Sequence, residues 1–376
     1  MVEHTARRQI VHGIGAYVRE KTNWQPLIPW ADLERWARPK GLKVDGVIAY
    51  PHTRGEMNFL LGLDLPVVCV GPFSPEAGLP RVNWDDRVAG QLAARHLAEA
   101  GFRRIGFVGN DFAEAYIRDR LEGARTEAEE RGLEFVSLEL EPGGHRPGAE
   151  KKVAGRAGSW LRSLEPAFGL VAATDFTGFE LLNALRLTGI AIPEAAAVIS
   201  IGGDNLVCPF CEPALSSVVL PGAEVGYQAA SLLDQLMGRR NAPKEVLLPP
   251  QRVVARRSSD TIATRDEMVR LALGYIREHA VEPIGVSDVL AAVPLSRRPL
   301  ELRFKRATGR TLQKEIWRVR LARAKDLLIE TNLSIAEIAH HCGFGEPQRM
   351  TEVFQREMAQ APGAFRKAHR RLADHD

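Results

Sequence analysis

The sequence predicts an α/β domain with doubly wound parallel sheets, followed by a smaller all-α domain. Three observations carry this. Short apolar runs closed by Gly, Pro, Asp or Asn recur through the first two-thirds of the chain, helical patterns lie between them, and from Glu267 onward the strand-like runs vanish. Strands that alternate with helices argue a parallel sheet covered on both faces. The domain boundaries follow: residues 1–260 for the α/β domain, 261–267 as linker and 268–376 for the helical domain.

The strands are read in order from Val47-Ile48-Ala49-Tyr50, Pro66 to Gly71, Arg104 to Gly109, Gly169 to Asp175 and Ala197 to Gly202. Each is short and mostly apolar, as expected of a strand buried on both faces. Asp85 to Ala100 is expected as a helix with Val88, Leu92, His96 and Leu97 near one face, and Gly178 to Leu187 as another. Pro243 to Ser258 is extended, and the polar stretch Ser259 to Asp266 suits a linker.

Ligands of doubly wound folds bind at the carboxyl ends of the strands. Those ends carry polar residues here: Asn110 and Asp111, Asp175, and Asp204-Asn205, with Trp84-Asp85-Asp86 opening a helix after another extended stretch. Carboxylates and amides bond hydroxyl groups in fixed geometry, and Trp84 and Phe176 offer flat apolar cover for a sugar ring. N-capping of the following helix is the competing role for each Asp. The candidate effector-binding residues are therefore Trp84, Asp85, Asp86, Asn110, Asp175, Phe176, Asp204 and Asn205.

The helical domain repeats one layout. A short helix over Val286 to Val293, a Pro-Leu turn and a second helix over Ser296 to Arg306 are matched by Ser334 to Phe344 and Gly345 to Arg356. In the second helices, Leu300 with Phe304 and Met350 with Phe354 are spaced to face a core. Pro299 and Pro347 fall in first turns, where a missing N–H costs no bond. This is the helix-turn-helix layout, in which the start of the second helix meets base edges in the major groove. Arg bonds guanine bidentately, Gln bonds adenine, and other cations neutralise phosphates. The candidate DNA-binding residues are Ser296, Arg297, Arg298, Glu301, Arg303 and Lys305 in the first unit, and Gln348, Arg349, Glu352 and Arg356 in the second. The stretch Leu312 to Leu328 joins the units.

Charge agrees with this division. The chain carries a net charge of +3; from Met268 onward 19 Lys and Arg face 13 Asp and Glu, so that part is +6 and the remainder −3. A basic C-terminal module implies an acidic partner. No apolar run is long enough to span a membrane, and the polar start lacks a secretory core, so the cytoplasm is the expected compartment. Four scattered cysteines make no disulfide framework, and the lone Cys208-Pro209-Phe210-Cys211 has no partners at metal-ligand spacing. No cofactor and no metal are expected. The chain also lacks GxGxxG after a first strand, GxxxxGK[ST] and GxSxG, and its histidines form no triad, so no enzyme activity is expected.

Two resemblances follow from these residues. Arg320-Leu321-Ala322-Arg323-Ala324-Lys325-Asp326-Leu327-Leu328, Ser334 to Ala339, Gly343-Phe344, Phe354 and Pro362-Gly363-Ala364-Phe365-Arg366 resemble the AraC-type DNA-binding domain. Asp86 to Gly90, His96-Leu97, Gly101 to Phe107, Leu215-Ser216-Ser217-Val218 and Gly226 to Ala230 resemble the sensor of LacI/GalR-type regulators. Their pairing in one chain, with the segment Pro249 to Ser258, is similar to the xylose operon regulator group. The resemblance implies a two-lobed, periplasmic-binding-protein-like sensor, a homodimer as the DNA-binding unit, and a pentose-like effector contacting Asp175 and Asp204-Asn205. The alternative is a regulator with a non-sugar effector or a degenerate, ligand-independent sensor. The chain departs from the family pattern at its start. Arg7 to Glu20 already reads as the first helix, which predicts either a start codon assigned too late or a sheet without a central strand. The Cys208–Cys211 pair falls where the family has a variable loop.

Overall fold

Alternating apolar runs and helices build two separate sheets from one stretch of chain. The computed structural model describes all residues except 1–4, 28–43, 52, 72–77, 111, 113, 141–156, 165–166, 262, 265 and 374–376. Contacts divide the chain into two compact units, Met1–Asp260 and Thr261–Asp376.

The first unit opens with α1 (Thr5–Lys21), followed by β1 (Val47–Ala49), α2 (Arg54–Leu61), β2 (Val67–Val70) and β3 (Arg81–Trp84). After β3 the chain leaves for a second sheet through α3 (Asp86–Glu99), β4 (Arg104–Asn110), α4 (Ala115–Glu130), β5 (Glu134–Leu140), a helical stretch over 157–163, β6 (Phe168–Ala172), α5 (Asp175–Thr188), β7 (Ala196–Gly202), the short α6 (Val207–Phe210) and β8 (Ser216–Val219). Helix α7 (Gly222–Met237) and β9 (Glu245–Leu248) return to the first sheet, and β10 (Arg252–Val254) ends in the second. The sheet orders are β1-β2-β3-β9, all parallel, and β10-β8-β7-β6-β4-β5, parallel except for β10. Three crossings at strand ends thus split the unit into two lobes. The segment read only as extended, Pro243 to Ser258, supplies one strand to each sheet.

Among the described residues no strand precedes α1, and β1 pairs on one side only. Helix α1 packs on α7, where Tyr17 Oη donates to Asp234 Oδ2 at 3.2 Å and the Tyr17 and Tyr227 rings meet edge to face at 5.1 Å. The core of the second lobe gathers Leu161, Phe168, Leu170, Leu181, Leu185 and Val198, all almost fully buried.

Two sequence expectations need correction. Helix α3 buries Ala89, Gly90, Ala93, Ala94 and Leu97, whereas Val88, Leu92 and His96 are only half-buried. The cause is a close crossing with α4: a Cβ on Gly90 would collide with the Arg120 carbonyl, and one on Gly123 with that of Arg87. Small residues therefore take the inner face, and side-chain size misleads a periodicity count. The expected linker stretch is also divided. Ser258 and Ser259 are buried in the first unit: Ser258 Oγ donates to Val198 O at 2.6 Å, and Ser259 Oγ to Ser216 Oγ at 2.7 Å. At the other end, Asp266 is the N-cap of the first helix of the second unit and accepts from Met268 N at 3.0 Å.

That second unit contains α8 (Glu267–His279), α9 (Val286–Ala292), α10 (Arg297–Thr308), α11 (Leu312–Glu330), α12 (Ile335–His341), α13 (Pro347–Met358) and α14 (Pro362–Ala373). It has two small cores. One joins Leu273, Ile276, Val289, Leu300, Phe304 and Ile316; the other joins Leu328, Ile338, Phe344, Met350 and Phe354. Helix α11 contributes to both, so each helix-turn-helix leans on the same long helix.

Candidate effector and DNA-binding sites

At the carboxyl end of β3 the chain turns directly into α3, and Asp85 caps that helix, accepting from Val88 N at 3.0 Å. Asp85 therefore fills its capping role. Trp84 and Asp86 are both buried. Asp86 Oδ1 accepts from Trp84 Nε1 at 3.0 Å and from Arg120 Nε at 2.7 Å. Burial pushes the Asp86 carboxyl up, against the pull of the Arg120 guanidinium. Arg120 also donates to Ala173 O at 2.6 Å, which ties α4 to the carboxyl end of β6. Trp84, Asp85 and Asp86 line a cavity of about 280 Å³ together with Asn83, Tyr116 and Asp119. Arg81 and Arg87 also line it, so the lining mixes charges of both signs with two aromatic rings, a setting for a small polar ligand.

The other strand-end residues are not placed in that cavity. Asp175 is buried, and protein groups occupy both of its oxygens. Oδ1 accepts from Ser200 Oγ at 2.5 Å and Ser217 Oγ at 2.7 Å, and Oδ2 from Asp204 N at 2.7 Å. One carboxylate thereby knots together the ends of β6, β7 and β8. Asp204 Oδ1 in turn accepts from Leu206 N at 2.8 Å and Val207 N at 2.9 Å. Asn205 is exposed, Phe176 is half-buried, and Asn110 ends β4 with a buried Oδ1 that has no partner among the described residues. Asp111 lies outside the described residues.

Four residues at this strand-end region carried no sequence expectation: Arg7, Tyr50, Tyr116 and Arg120. The Arg7 guanidinium stands 5.0 Å over the Tyr50 ring, and that of Arg120 stands 5.1 Å over the Tyr116 ring. Tyr50 has its phenol pushed up to about 12 by burial, with Arg7 and Arg120 pulling the other way. Only Arg120 leaves a trace in the sequence. It interrupts the buried stripe Ile117, Leu121, Ala124 and Ala128 of α4, and a charge on an apolar face calls for a partner.

The four cysteines are all free and buried. Cys208 and Cys211 sit in the apolar core of the second lobe, where burial pushes both thiols up, Cys211 to about 11. They pack there as small apolar side chains. Among the described residues no group of His, Cys, Asp and Glu is placed to hold a metal ion.

In the second unit, α10 starts at its N-cap Ser296 and α13 has Pro347 in its first turn. Leu300, Phe304, Met350 and Phe354 are fully buried, which turns the opposite faces outward. Ser296, Arg297, Arg298 and Lys305 are exposed, as are Gln348, Arg349, Glu352 and Arg356, while Glu301 is half-buried. Arg297 Nε donates to Glu301 Oε1 at 3.0 Å within that face.

Two of the expected DNA-binding residues already have partners within the same unit. Arg303 is exposed and pairs with Asp266 Oδ2 at 3.6 Å. Arg356 stacks 4.4 Å over the Trp317 ring of α11 and pairs with Glu357 at 3.0 Å. Two outward residues were missed: Gln355, exposed seven positions after Gln348, and Leu302, 63% exposed on α10. Heptad spacing from Gln348 was the available signal for Gln355.

Within the second unit, one side chain ties α11 to the loop that follows α8. Arg320 of α11 is 4% exposed and donates to Ala280 O at 2.7 Å, Glu282 O at 2.8 Å and Ile284 O at 3.1 Å. Burial lowers its pKa. Beside it, Gly343 has φ +71, and a Cβ there would collide with the Ala280 carbonyl. The turn of the second helix-turn-helix thus rests on the loop that precedes the first.

A two-lobed α/β domain with a polar strand-end cleft, joined to a double helix-turn-helix, defines a class of regulators that carry ligand binding and DNA binding on one chain. Residues 94–259 match the periplasmic binding protein-like domain family, and residues 289–368 match a helix-turn-helix domain family. The xylose operon regulatory protein of Escherichia coli strain K12 is 33% identical over 370 residues, 96% of this chain and 93% of that protein. The protein of the same description from Haemophilus influenzae is 30% identical, over 96% of this chain and 94% of its own. The solved structure of a xylose-binding transcription activator, xylR, superposes with a TM-score of 0.80 at 31% identity, covering 98% of this chain and 96% of that one. The chain belongs to the family of xylose operon regulatory proteins.

Proposed function

We propose that the protein is a transcription regulator that binds a pentose, xylose by preference, between the lobes of its first unit and an operator through α10 and α13 of its second. The observation that carries this reading is the pairing in one chain of a polar strand-end cavity with two outward helices bearing Arg298, Lys305, Gln348 and Arg349. The relatives similar over nearly the whole chain are named for the xylose operon, and one for binding xylose. On this reading, sugar favours one arrangement of the lobes, and a coupling of about 1–3 kcal/mol suffices to change operator occupancy.

The DNA-binding form is a homodimer working in the cytoplasm, and the protein performs no catalysis. Among the described residues no helix is long and apolar enough to cross a membrane. The test is a thermal-shift screen against pentoses and hexoses. A sugar at about 100 times its Kd adds roughly 2.7 kcal/mol to the stability of the folded form. A cooperative melt that no sugar shifts would refute the sugar-sensor reading, and the direct check on the DNA half is operator binding with and without D-xylose.

A further inference from the structure

Strand β3 carries one residue that its neighbours do not explain. Val82 and Trp84 on either side of Asn83 are 0% and 4% exposed, and Asn83 itself is 4% exposed. Its register partner on β9 is Leu247, which has no hydrogen-bonding side chain. The Asn83 Oδ1 has no partner among the described residues. A buried amide oxygen left without a donor costs stability, and a strand position of this kind ordinarily takes Val or Ile. Asn83 lines the same cavity as Asp86, Tyr116 and Asp119. Three residues on, Asp86 spends Oδ1 on Trp84 and Arg120, and no protein donor to Oδ2 is found among the described residues.

We propose that Asn83 is a specificity-determining residue of the effector site, its carboxamide oxygen accepting from one hydroxyl group of the bound sugar beside Asp86 Oδ2. This rests on the sugar-sensor reading and deepens it. Two acceptors fixed on one strand–helix corner, inside a cavity of about 280 Å³, suit neighbouring hydroxyls of a small polyol ring. An amide oxygen that is idle without ligand is satisfied when ligand arrives, so its cost in the free protein is returned as discrimination on binding.

The experiment is calorimetric titration of the full chain with D-xylose and each of its monodeoxy analogues, using wild type, Asn83→Ala and Asn83→Leu, with thermal melts of the free proteins alongside. Wild type should bind xylose. Both variants should bind it about tenfold more weakly, the worth of one hydrogen bond of ordinary strength. One particular analogue, lacking the hydroxyl that Asn83 reads, should bind wild type and variants alike. Ligand-free Asn83→Leu should melt above wild type, because the idle buried acceptor is gone; a purely structural asparagine predicts the reverse. Unchanged xylose affinity in Asn83→Ala, or an equal loss for xylose and every analogue, overturns the assignment while leaving the sensor reading intact. Wild type that binds no sugar overturns both.

Discussion

Replacing Arg320 by methionine should break the bonds that tie α11 to the loop after α8, while keeping most of the side chain's volume. The guanidinium serves three carbonyls at 2.7, 2.8 and 3.1 Å, at the end of α8 and in the loop beyond it. Helix ends leave carbonyls without intrahelical partners, so these acceptors depend on an outside donor. A hydrogen bond to a charged group is worth about 1.5–3 kcal/mol, which sets an upper limit near 9 kcal/mol for three. Two of the three bonds are only partly buried, and water replaces the lost donor there. Removing the cost of burying the guanidinium also returns some stability. The net loss works out at about 3–5 kcal/mol. At roughly 4 °C per kcal/mol for a unit of this size, the transition of the second unit falls by about 12–20 °C. Differential scanning calorimetry of the full chain reads this directly, with the transition of the first unit as internal control. A shift of the second-unit transition below about 3 °C would mean that Arg320 is not the tie described here.

Other consequences can be checked in the same preparation. Arg298→Ala should weaken operator binding by about 1–3 kcal/mol and relax discrimination against random DNA, whereas Arg303→Ala, whose guanidinium already pairs with Asp266, should leave discrimination unchanged in a competition gel-shift assay. Gly343→Ala should destabilise the second unit by about 1–3 kcal/mol and lower its melting temperature, since φ +71 and the nearby Ala280 carbonyl both oppose a Cβ; an unchanged melt would contradict this. Burial holds the His96 imidazole below its ordinary pKa, with Glu99 and Asp260 pulling up and Ser259 Oγ at 2.7 Å as its partner. The unfolded chain then takes the proton first as pH falls, so the contribution of His96 is fully present above about pH 6.5 and shrinks on acidification through the window below it. Urea unfolding at about pH 7.5 and about pH 5.5 should show a smaller drop for His96→Gln than for wild type, and equal drops would remove His96 from the explanation.

What the sequence determined by itself was everything governed by neighbours in the chain. The runs around Val47, Val67, Ile105, Leu170 and Val198 became β1, β2, β4, β6 and β7, because a strand buried on both faces has to be apolar at every position. Ser296 and Pro347 marked the starts of α10 and α13 because a helix's first turn tolerates, and prefers, those residues whatever lies around it. The outward set Arg298, Lys305, Gln348 and Arg349 followed from the buried set by helical period alone.

Tertiary structure decided the rest. That Arg303 turns to Asp266 and Arg356 to Trp317 depends on helices far away in sequence. That Ala and Gly, not Val88 and Leu92, fill the inner face of α3 depends on how closely α4 approaches. At the strand ends, Asp175 is committed to Ser200, Ser217 and Asp204, while Arg7, Tyr50, Tyr116 and Arg120 gather from three separate segments. A residue's type and spacing say what it can bond. Which partner takes the bond is settled by the packing of elements distant along the chain, and no local pattern records it.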